Sequence, residues 1–153
     1  MAKLQSDLSE FVGLLNSNRV EFLVVGGHAV AFHGHPRFTG DIDFLIAATP
    51  DNAERVLQVL TAFGFAALNI TVADLLTPAT VVQLGYPPNR IDILTSISGV
   101  EFADAWPARV ASQLGGEPVN FIGFDDLLRN KRASGRTKDL ADVEQLLAVA
   151  KRR

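Results

Sequence analysis

The sequence contains no cysteine. Disulfides, thiolate metal ligands and a cysteine nucleophile are therefore excluded, and the composition suits a reducing compartment. Long apolar runs are also missing, since no stretch approaches the roughly 18 residues that span a membrane. The N-terminal segment MAKLQSDLSEF carries acidic residues and no continuous apolar stretch, which is not typical of a signal peptide. These absences predict a soluble, cytoplasmic protein without a membrane partner.

An excess of positive charge is missing as well. The sequence has fourteen Lys and Arg residues and seventeen Asp and Glu residues, which gives a net charge of -3. Without an overall basic surface, bulk attraction to nucleic acid is not predicted. Neither G-x-G-x-x-G nor G-x-x-x-x-G-K-[ST] occurs, which excludes the Rossmann and P-loop phosphate motifs. A chain of 153 residues is long enough for a substantial core, and we expect residues 1–153 to form a single domain.

The apolar pattern predicts a mixed α/β fold. Strands are expected over residues 22–25, 41–46, 81–84, 91–94 and 119–122. Helices are expected over residues 3–18, 28–33, 50–63, 101–109, 123–133 and 138–151. We expect all strands to lie in one sheet, with the last two helices closing the chain.

Two carboxylates lie two positions apart in GDIDFLI, residues 40–46. Side chains at i and i+2 of a strand share a face, so Asp41 and Asp43 should point the same way while Ile42 enters the core. Such close like charges repel, but a divalent cation reverses the argument because hard cations prefer several oxygen ligands. Asp92 in NRIDIL supplies a third acid on another apolar strand. The three acids predict a site for two Mg²⁺ ions, with Mn²⁺ as a substitute, although solvation or loop capping explains a lone DxD equally well.

Gly26 and Gly27 follow the apolar segment FLVV and precede Asp41 in the sequence. Glycines let backbone N–H groups approach an anion closely, and a following helix N-terminus adds a favourable dipole. A tight strand-to-helix turn would explain the glycines but not the acids. A phosphate-binding turn that faces a metal site explains both, and it predicts a bound nucleoside triphosphate.

The C-terminal third supplies cations for the phosphates. Four basic residues lie within eight positions there: Lys131, Arg132, Arg136 and Lys138. We expect at least one of them to contact phosphate, with Lys131 as the first candidate. The alternative is a solvated helix end, because cations favour helix C-termini. Asp139 and Asp142 could equally pair with these cations.

These segments together resemble the nucleotidyltransferase superfamily with the polymerase-beta-like palm, and most of all its small bacterial AbiEii-like and DUF6036-type proteins. Such proteins show a glycine pair, a helix, an Arg-x-Thr-x-Asp-x-Asp segment and a later Lys-Asp-x-x-Asp helix. This chain has Arg37, Thr39, Asp41 and Asp43 in that order, and KDLADVEQL from Lys138 onward. The resemblance covers about residues 20–150.

The resemblance implies a nucleotidyltransferase palm, in which helices pack on a mixed twisted sheet. Its core would span about residues 20–125, followed by C-terminal helices over about 123–151. It implies that Asp41 and Asp43 ligate a metal pair, and that Asp92 ligates one metal and helps to deprotonate an acceptor hydroxyl. Lys131 is the candidate catalytic cation. The candidate nucleotide-binding residues are Gly26, Gly27, Arg37, Thr39, Arg136 and Lys138.

The implied reaction moves a nucleoside monophosphate from a nucleoside triphosphate to a hydroxyl group, and pyrophosphate leaves. The acceptor is RNA, a protein or a small molecule, and the sequence does not distinguish among them. Relatives include toxins of toxin–antitoxin pairs, so a toxin function with an antitoxin partner is one form of the prediction. The alternative is a non-catalytic member of the same fold that binds a nucleotide or a protein.

Overall fold

A mixed sheet with flanking helices organises the chain. The computed structural model describes residues 2–152, and the side chains of residues 7–152. The strands are β1 (Phe22–Val25), β2 (Asp41–Ile46), β3 (Val81–Leu84), β4 (Arg90–Leu94), β5 (Val110–Leu114) and β6 (Glu117–Phe121). The α-helices are α1 (Ala2–Ser17), α2 (Gly26–Phe32), α3 (Pro50–Ala62), α4 (Val72–Leu76), α5 (Phe102–Ala105), α6 (Phe124–Ser134) and α7 (Thr137–Lys151). Short 3₁₀ turns lie at Ala66–Leu68 and Trp106–Ala108.

All six strands belong to one sheet, in the order β3-β4-β2-β1-β6-β5. The central strands β2 and β4 run parallel, and each has an antiparallel neighbour on its other side. The β2–β4 register places Asp43 opposite Asp92 and Asp41 opposite Arg90. Because residues i and i+2 share a face, all four side chains project from the same side of the sheet.

The opposite side of the sheet carries the aromatic core. Phe44 of β2 packs against Phe11 of α1 and Phe22 of β1, with ring centroids 5.5 and 5.6 Å apart. Phe11 also meets Phe63, at the end of α3, at 5.1 Å. Tilted and edge-to-face pairs at these distances stabilise a core beyond simple area burial. The alternation along β2 therefore buries the side of the strand that carries Phe44 and places Asp41 and Asp43 on the opposite side, away from this aromatic core.

Local signals position the ends of the helices. Thr49 caps α3 by accepting a hydrogen bond from the backbone N–H of Asn52, and Pro50 occupies the first turn. This is the start that the sequence predicts, because proline needs no hydrogen-bond partner there. Gly135 ends α6 in the left-handed conformation, with φ of +69°. The break between α6 and α7 therefore lies in SGRT, as expected.

The predicted mixed α/β class and the single sheet are confirmed, together with all five predicted strands. Helix α2 begins at Gly26 rather than at residue 28, and the predicted helix over 101–109 is divided into α5 and a 3₁₀ turn. Strand β5 and helix α4 were not predicted. Within residues 2–152, no helix combines the length and the apolarity required to cross a membrane.

Candidate active site

Three carboxylates meet on the acidic side of the sheet. Asp41 and Asp43 project from β2, and Asp92 projects from β4 directly opposite Asp43. One ligand oxygen from each lies within 4.8 Å of the others. The strand period and the parallel register together produce this convergence. The sequence predicts one site for all three acids, and the structure brings them together.

The three acids line a cavity of about 470 Å³ between the sheet and the two C-terminal helices. The other predicted site residues on its wall are Gly26, Gly27, Thr39, Lys131, Arg136 and Lys138. Arg37 is not on this wall. The structure therefore brings together all of the predicted site residues except Arg37.

Gly26 approaches one of the carboxylates very closely. Its φ is +71°, and a Cβ atom built on it would overlap Oδ2 of Asp43. A Cβ atom on Gly27 would lie 3.1 Å from Oγ1 of Thr39. Any side chain at position 26 would therefore displace Asp43 and strain the backbone as well. The geometry of the acid cluster therefore requires glycine at position 26, whereas a side chain at position 27 would press on Thr39.

Thr39 orients the first carboxylate. Its hydroxyl Oγ1 lies 3.0 Å from the backbone carbonyl oxygen of Asp41 and 3.1 Å from Oδ1 of the same residue. A hydroxyl has one proton, so it donates to one of these oxygens at a time. This contact holds the Asp41 side chain toward the cavity.

Arg90 lies among the carboxylates. Its Nη2 is 3.0 Å from Oδ2 of Asp41, while its Nε and Nη2 are 2.9 and 3.1 Å from the two oxygens of Asp92. The fork of an arginine side chain fits a carboxylate in this bidentate way. Arg90 was not predicted to belong to the site, although its position two residues before Asp92 places it on the same face. The guanidinium neutralises part of the charge of the cluster.

Asp43 is the acid with the most strongly perturbed titration. Burial, followed by the nearby charges of Asp41 and Asp92, raises the pKa of Asp43 from 3.8 to about 7. The positive charge of Lys131 opposes this shift only in part. Close like charges and burial both disfavour the ionised form, so Asp43 holds a proton up to about neutral pH.

The other two acids shift in opposite directions. Burial tends to raise the pKa of Asp41, but hydrogen bonds with Asp92, Thr39 and Arg90 outweigh it and lower the pKa. Burial raises the pKa of Asp92, and the hydrogen bond from Arg90 offsets this only in part. The cluster therefore divides into one readily ionised acid and two that resist ionisation, as expected for interacting carboxylates.

A buried ion-pair network supports the wall formed by α6 and α7. Nζ of Lys131 lies 3.3 Å from Oδ1 of Asp139 and 3.2 Å from Oδ2 of Asp142. Asp139 also accepts a 2.7 Å hydrogen bond from Nε of Arg136. Burial works against its ionisation, but the hydrogen bonds from Arg136 and its neighbours hold the pKa of Asp139 well below the usual value. The network fixes the position of the Lys131 ammonium on the cavity wall.

Arg37 belongs to this network. Its Nη2 lies 3.1 Å from Oδ2 of Asp142, which joins the loop before β2 to helix α7. The Arg-x-Thr segment and the Lys-Asp-x-x-Asp helix are thereby connected across 105 positions of sequence. The structure gives Arg37 a supporting position, and its contact with a nucleotide stays a prediction.

Several residues of the cavity wall were not singled out from the sequence. They include Val81, Gln83, Leu94, Ile97, Ser98 and Asn130. Gln83 pairs with Asp92 in the sheet register, so it belongs to the same row as the acids. Their side chains are of ordinary types, and only the three-dimensional arrangement identifies them. They form a mixed apolar and amide surface beside the acid cluster.

The donor set of the cluster fits divalent cations. Three carboxylates face one space, and hard cations such as Mg²⁺ prefer oxygen ligands arranged in this way. Burial, followed by the charges of Asp41 and Asp92, raises the pKa of Asp43, and a cation bound beside these acids would relieve the repulsion among them. Asp41, Asp43 and Asp92 are therefore the residues that would hold such ions.

A mixed sheet that carries three acids on neighbouring parallel strands, next to a glycine pair, defines a nucleotidyltransferase-type fold. Residues 2–151 match the family described as "nucleotidyltransferase of unknown function (DUF6036)". The chain belongs to this family. No curated protein matches it at a significant level. The predicted family is confirmed, and the likeness to AbiEii-like proteins stays a prediction.

Proposed function

We propose that the protein is a Mg²⁺-dependent nucleotidyltransferase that moves a nucleoside monophosphate from a nucleoside triphosphate to a hydroxyl group. The observation that carries this proposal is the convergence of Asp41, Asp43 and Asp92 on one wall of an open cavity. Family membership supports the general kind of activity. The metal, the donor and the acceptor are inferred from the chemistry of the site.

The three acids are assigned as metal ligands. When bound, two Mg²⁺ or Mn²⁺ ions supply charge neutralisation at the transferred phosphate and lower the pKa of the attacking hydroxyl. Asp92 is the residue assigned to receive the proton of that hydroxyl, since it faces the same cavity as Asp41 and Asp43 and burial raises its pKa. Asp43 must lose its own proton before it can act as a ligand.

The facing wall is assigned to the triphosphate. Lys131, Arg136 and Lys138 line the same cavity as the acids, and the network of Asp139 holds the first two in position. Cations fixed before the reaction stabilise charge that develops on the leaving pyrophosphate without reorganisation. Gly26 and Gly27 keep this part of the cavity free of side chains, so their backbone can approach a phosphate.

One observation favours a second candidate function. Arg90 already contacts Asp41 and Asp92, so a guanidinium occupies positions that metal ions would otherwise use. In a non-catalytic member of the family, this ion pair would be permanent, and the cavity would bind a nucleotide or a protein without transfer. The two candidates differ in whether metal ions displace Arg90.

The deciding experiment measures transfer directly. The protein is incubated with each of the four α-³²P-labelled nucleoside triphosphates, Mg²⁺ or Mn²⁺, and separate pools of RNA, protein and small alcohols. We expect metal-dependent label transfer and pyrophosphate release, both lost in Asp43→Asn and retained in the control Asp104→Asn, an exposed acid of α5. Nucleotide binding without transfer under any condition would instead support the binding function.

A toxin function and an antitoxin partner stay predictions. Their test is expression of the protein in a bacterial host, alone and together with the product of any short neighbouring reading frame. Growth arrest that requires Asp43 and is relieved by that product is the expected result. Unimpaired growth with wild-type protein would contradict the toxin function and leave the transferase proposal standing.

A further inference from the structure

A second cavity, of about 360 Å³, lies beside the acid cluster. Thr39, Asp41 and Arg90 line both this cavity and the larger one. The ion pair between Asp41 and Arg90, with its 3.0 Å contact, therefore stands on the boundary between the two spaces. A group bound in the second cavity would reach the same carboxylate that is assigned to the metal ions.

The walls of this second cavity differ in chemistry from those of the first. They are formed mainly by Leu8, Phe38, Ile42, Pro88 and Ile91. Phe38 is 81% exposed, which is unusual for an aromatic side chain and leaves an apolar surface at the cavity. The cationic residues Lys131, Arg136 and Lys138 are confined to the wall of the first cavity. The second cavity therefore suits an uncharged apolar group.

The geometry of the reaction indicates which reactant each of the two cavities would hold. In phosphoryl and nucleotidyl transfer, the attacking oxygen and the leaving oxygen lie roughly in line on opposite sides of the phosphorus. The leaving pyrophosphate belongs with the cations of the first cavity. The hydroxyl must then arrive from a direction that lacks those cations but still reaches the acids. The second cavity satisfies both conditions through Asp41.

We infer that the second cavity binds the acceptor, and that this acceptor is a small uncharged alcohol whose apolar body is about the size of one aromatic ring. The inference rests on the proposed transferase function. An apolar cavity of about 150 Å³ accommodates a benzene ring, and small-molecule sites begin near about 300 Å³. The cavity thus has room for a ring whose hydroxyl-bearing substituent extends past Asp41 toward Asp92, the residue assigned to receive its proton.

A polar atom in the same wall supports a hydroxyl ligand. His28 lines the second cavity, and its Nδ1 is buried with no hydrogen-bond partner among the described residues. Buried polar atoms normally have a partner, so this one calls for an explanation. A ligand hydroxyl could donate to a neutral imidazole nitrogen at this position.

The charge of the wall argues against RNA as the acceptor. Affinity for RNA rests on neutralising its phosphates with Lys and Arg. Among the described residues that line the second cavity, Arg90 is the one cation, and it is engaged with Asp41 and Asp92. Asp7 adds a negative charge to the same wall. A phosphate backbone would therefore be repelled here.

The test begins with binding, which needs no turnover. Phenol and cyclohexanol are titrated into protein carrying ¹³C-labelled Ile and Leu methyl groups, with inorganic phosphate as the charged comparison. We expect saturable shifts of the Leu8, Ile42 and Ile91 methyl signals with both alcohols and none with phosphate. Scattered shifts, or none up to the solubility limit, overturn the inference.

Two variants connect binding to catalysis. Leu8→Trp should fill the cavity, and Phe38→Ser should remove an exposed wall with little risk to folding. Each should raise the KM for the alcohol at least about tenfold and leave the KM for the nucleotide unchanged. The matched controls are Leu140→Trp and Leu68→Ser, at positions 48% and 45% exposed and outside the cavity.

The outcomes separate this inference from the proposed function. If neither cavity variant changes the KM for the alcohol, or if RNA is the efficient acceptor instead, the acceptor assignment alone is overturned. Absence of metal-dependent nucleotide binding, with no transfer to any acceptor, overturns the transferase function and the acceptor assignment with it. Loss of alcohol transfer in Phe38→Ser, with nucleotide binding retained, supports both.

Discussion

Replacing Asp43 by asparagine should stabilise the metal-free protein at alkaline pH. The variant keeps the shape of the side chain and removes a carboxylate that burial, Asp41 and Asp92 make difficult to ionise. In the unfolded chain the same carboxylate ionises near its ordinary pKa of 3.8, whereas in the folded protein its pKa is about 7. Between these pH values the folded state binds more protons than the unfolded state.

The sign and the size of the effect follow from that difference. A raised folded-state pKa means that wild-type stability falls as the pH rises from about 4 to about 7, and then levels off. A difference of about 3 pH units corresponds to about 4 kcal/mol at 1.36 kcal/mol per unit, which is an upper value because the neighbouring acids titrate together with Asp43. The asparagine side chain cannot ionise, so the variant lacks this penalty. The expected gain is about 2–4 kcal/mol at pH 8 and close to zero at pH 4.

Urea denaturation in EDTA, followed by circular dichroism at pH 4, 6 and 8, measures this difference. The comparison of Asp43→Asn with wild type cancels the titration of acids elsewhere in the chain. Asp104→Asn serves as the control, because this acid is exposed and lies outside the cluster. Equal stabilities of the variant and the wild type at pH 8 would refute the electrostatic account of the cluster.

Other perturbations test other parts of the site. Millimolar Mg²⁺ with nucleotide should raise the Tm of the wild type at pH 8 and should raise that of Asp43→Asn much less, as measured by differential scanning fluorimetry. Arg90→Gln should tighten Mg²⁺ binding by about fivefold or more in calorimetry, since removing a positive charge about 4 Å from the ion is worth at least ~1 kcal/mol. An unchanged affinity would contradict the displacement of Arg90 by metal ions. Lys131→Met should cost about 3–5 kcal/mol of unfolding free energy, because it leaves buried Asp139 and Asp142 without their shared cation. Lys138→Ala should weaken nucleotide binding without loss of stability, and an unchanged Kd would remove Lys138 from the site.

The acid cluster was predictable because it depends on two local rules. The alternation of a strand places Asp41 and Asp43 on one face, and the apolar neighbours of Asp92 identify a second buried strand. These rules do not determine whether the two strands pair with each other, or in which register. The parallel pairing of β2 with β4 fulfils this condition and sets Asp43 against Asp92. The local pattern thus carried most of the information about the site.

Other features depend on contacts that no local pattern contains. Arg37 and Asp142 lie 105 positions apart in sequence, and neither environment indicates the other. Strand β5, with the sequence VASQL, is mostly exposed and lacks an apolar alternation, so its pairing with β6 defines it more than its own residues do. Helix α4 did carry a local signal, the capping box of Thr71 and Asp74, which the apolar pattern alone does not reveal.

The charge of the acid cluster is compatible both with a stable metal-free protein and with the proposed metal binding. Three carboxylates together with Arg90 would leave a net charge of about -2, but the proton on Asp43 reduces this near neutral pH. The proton on Asp43 dissociates at about pH 7, and the Arg90 side chain is 27% exposed on the boundary between the two cavities, so neither compensating charge is locked in place. Under the proposed function, divalent ions that displace them would gain three ligands at once, and the proton release should make their affinity rise with pH up to about 7. The same displacement would remove the Arg90–Asp41 contact from the boundary between the two cavities, so we expect metal binding to connect the proposed acceptor site with the proposed nucleotide site.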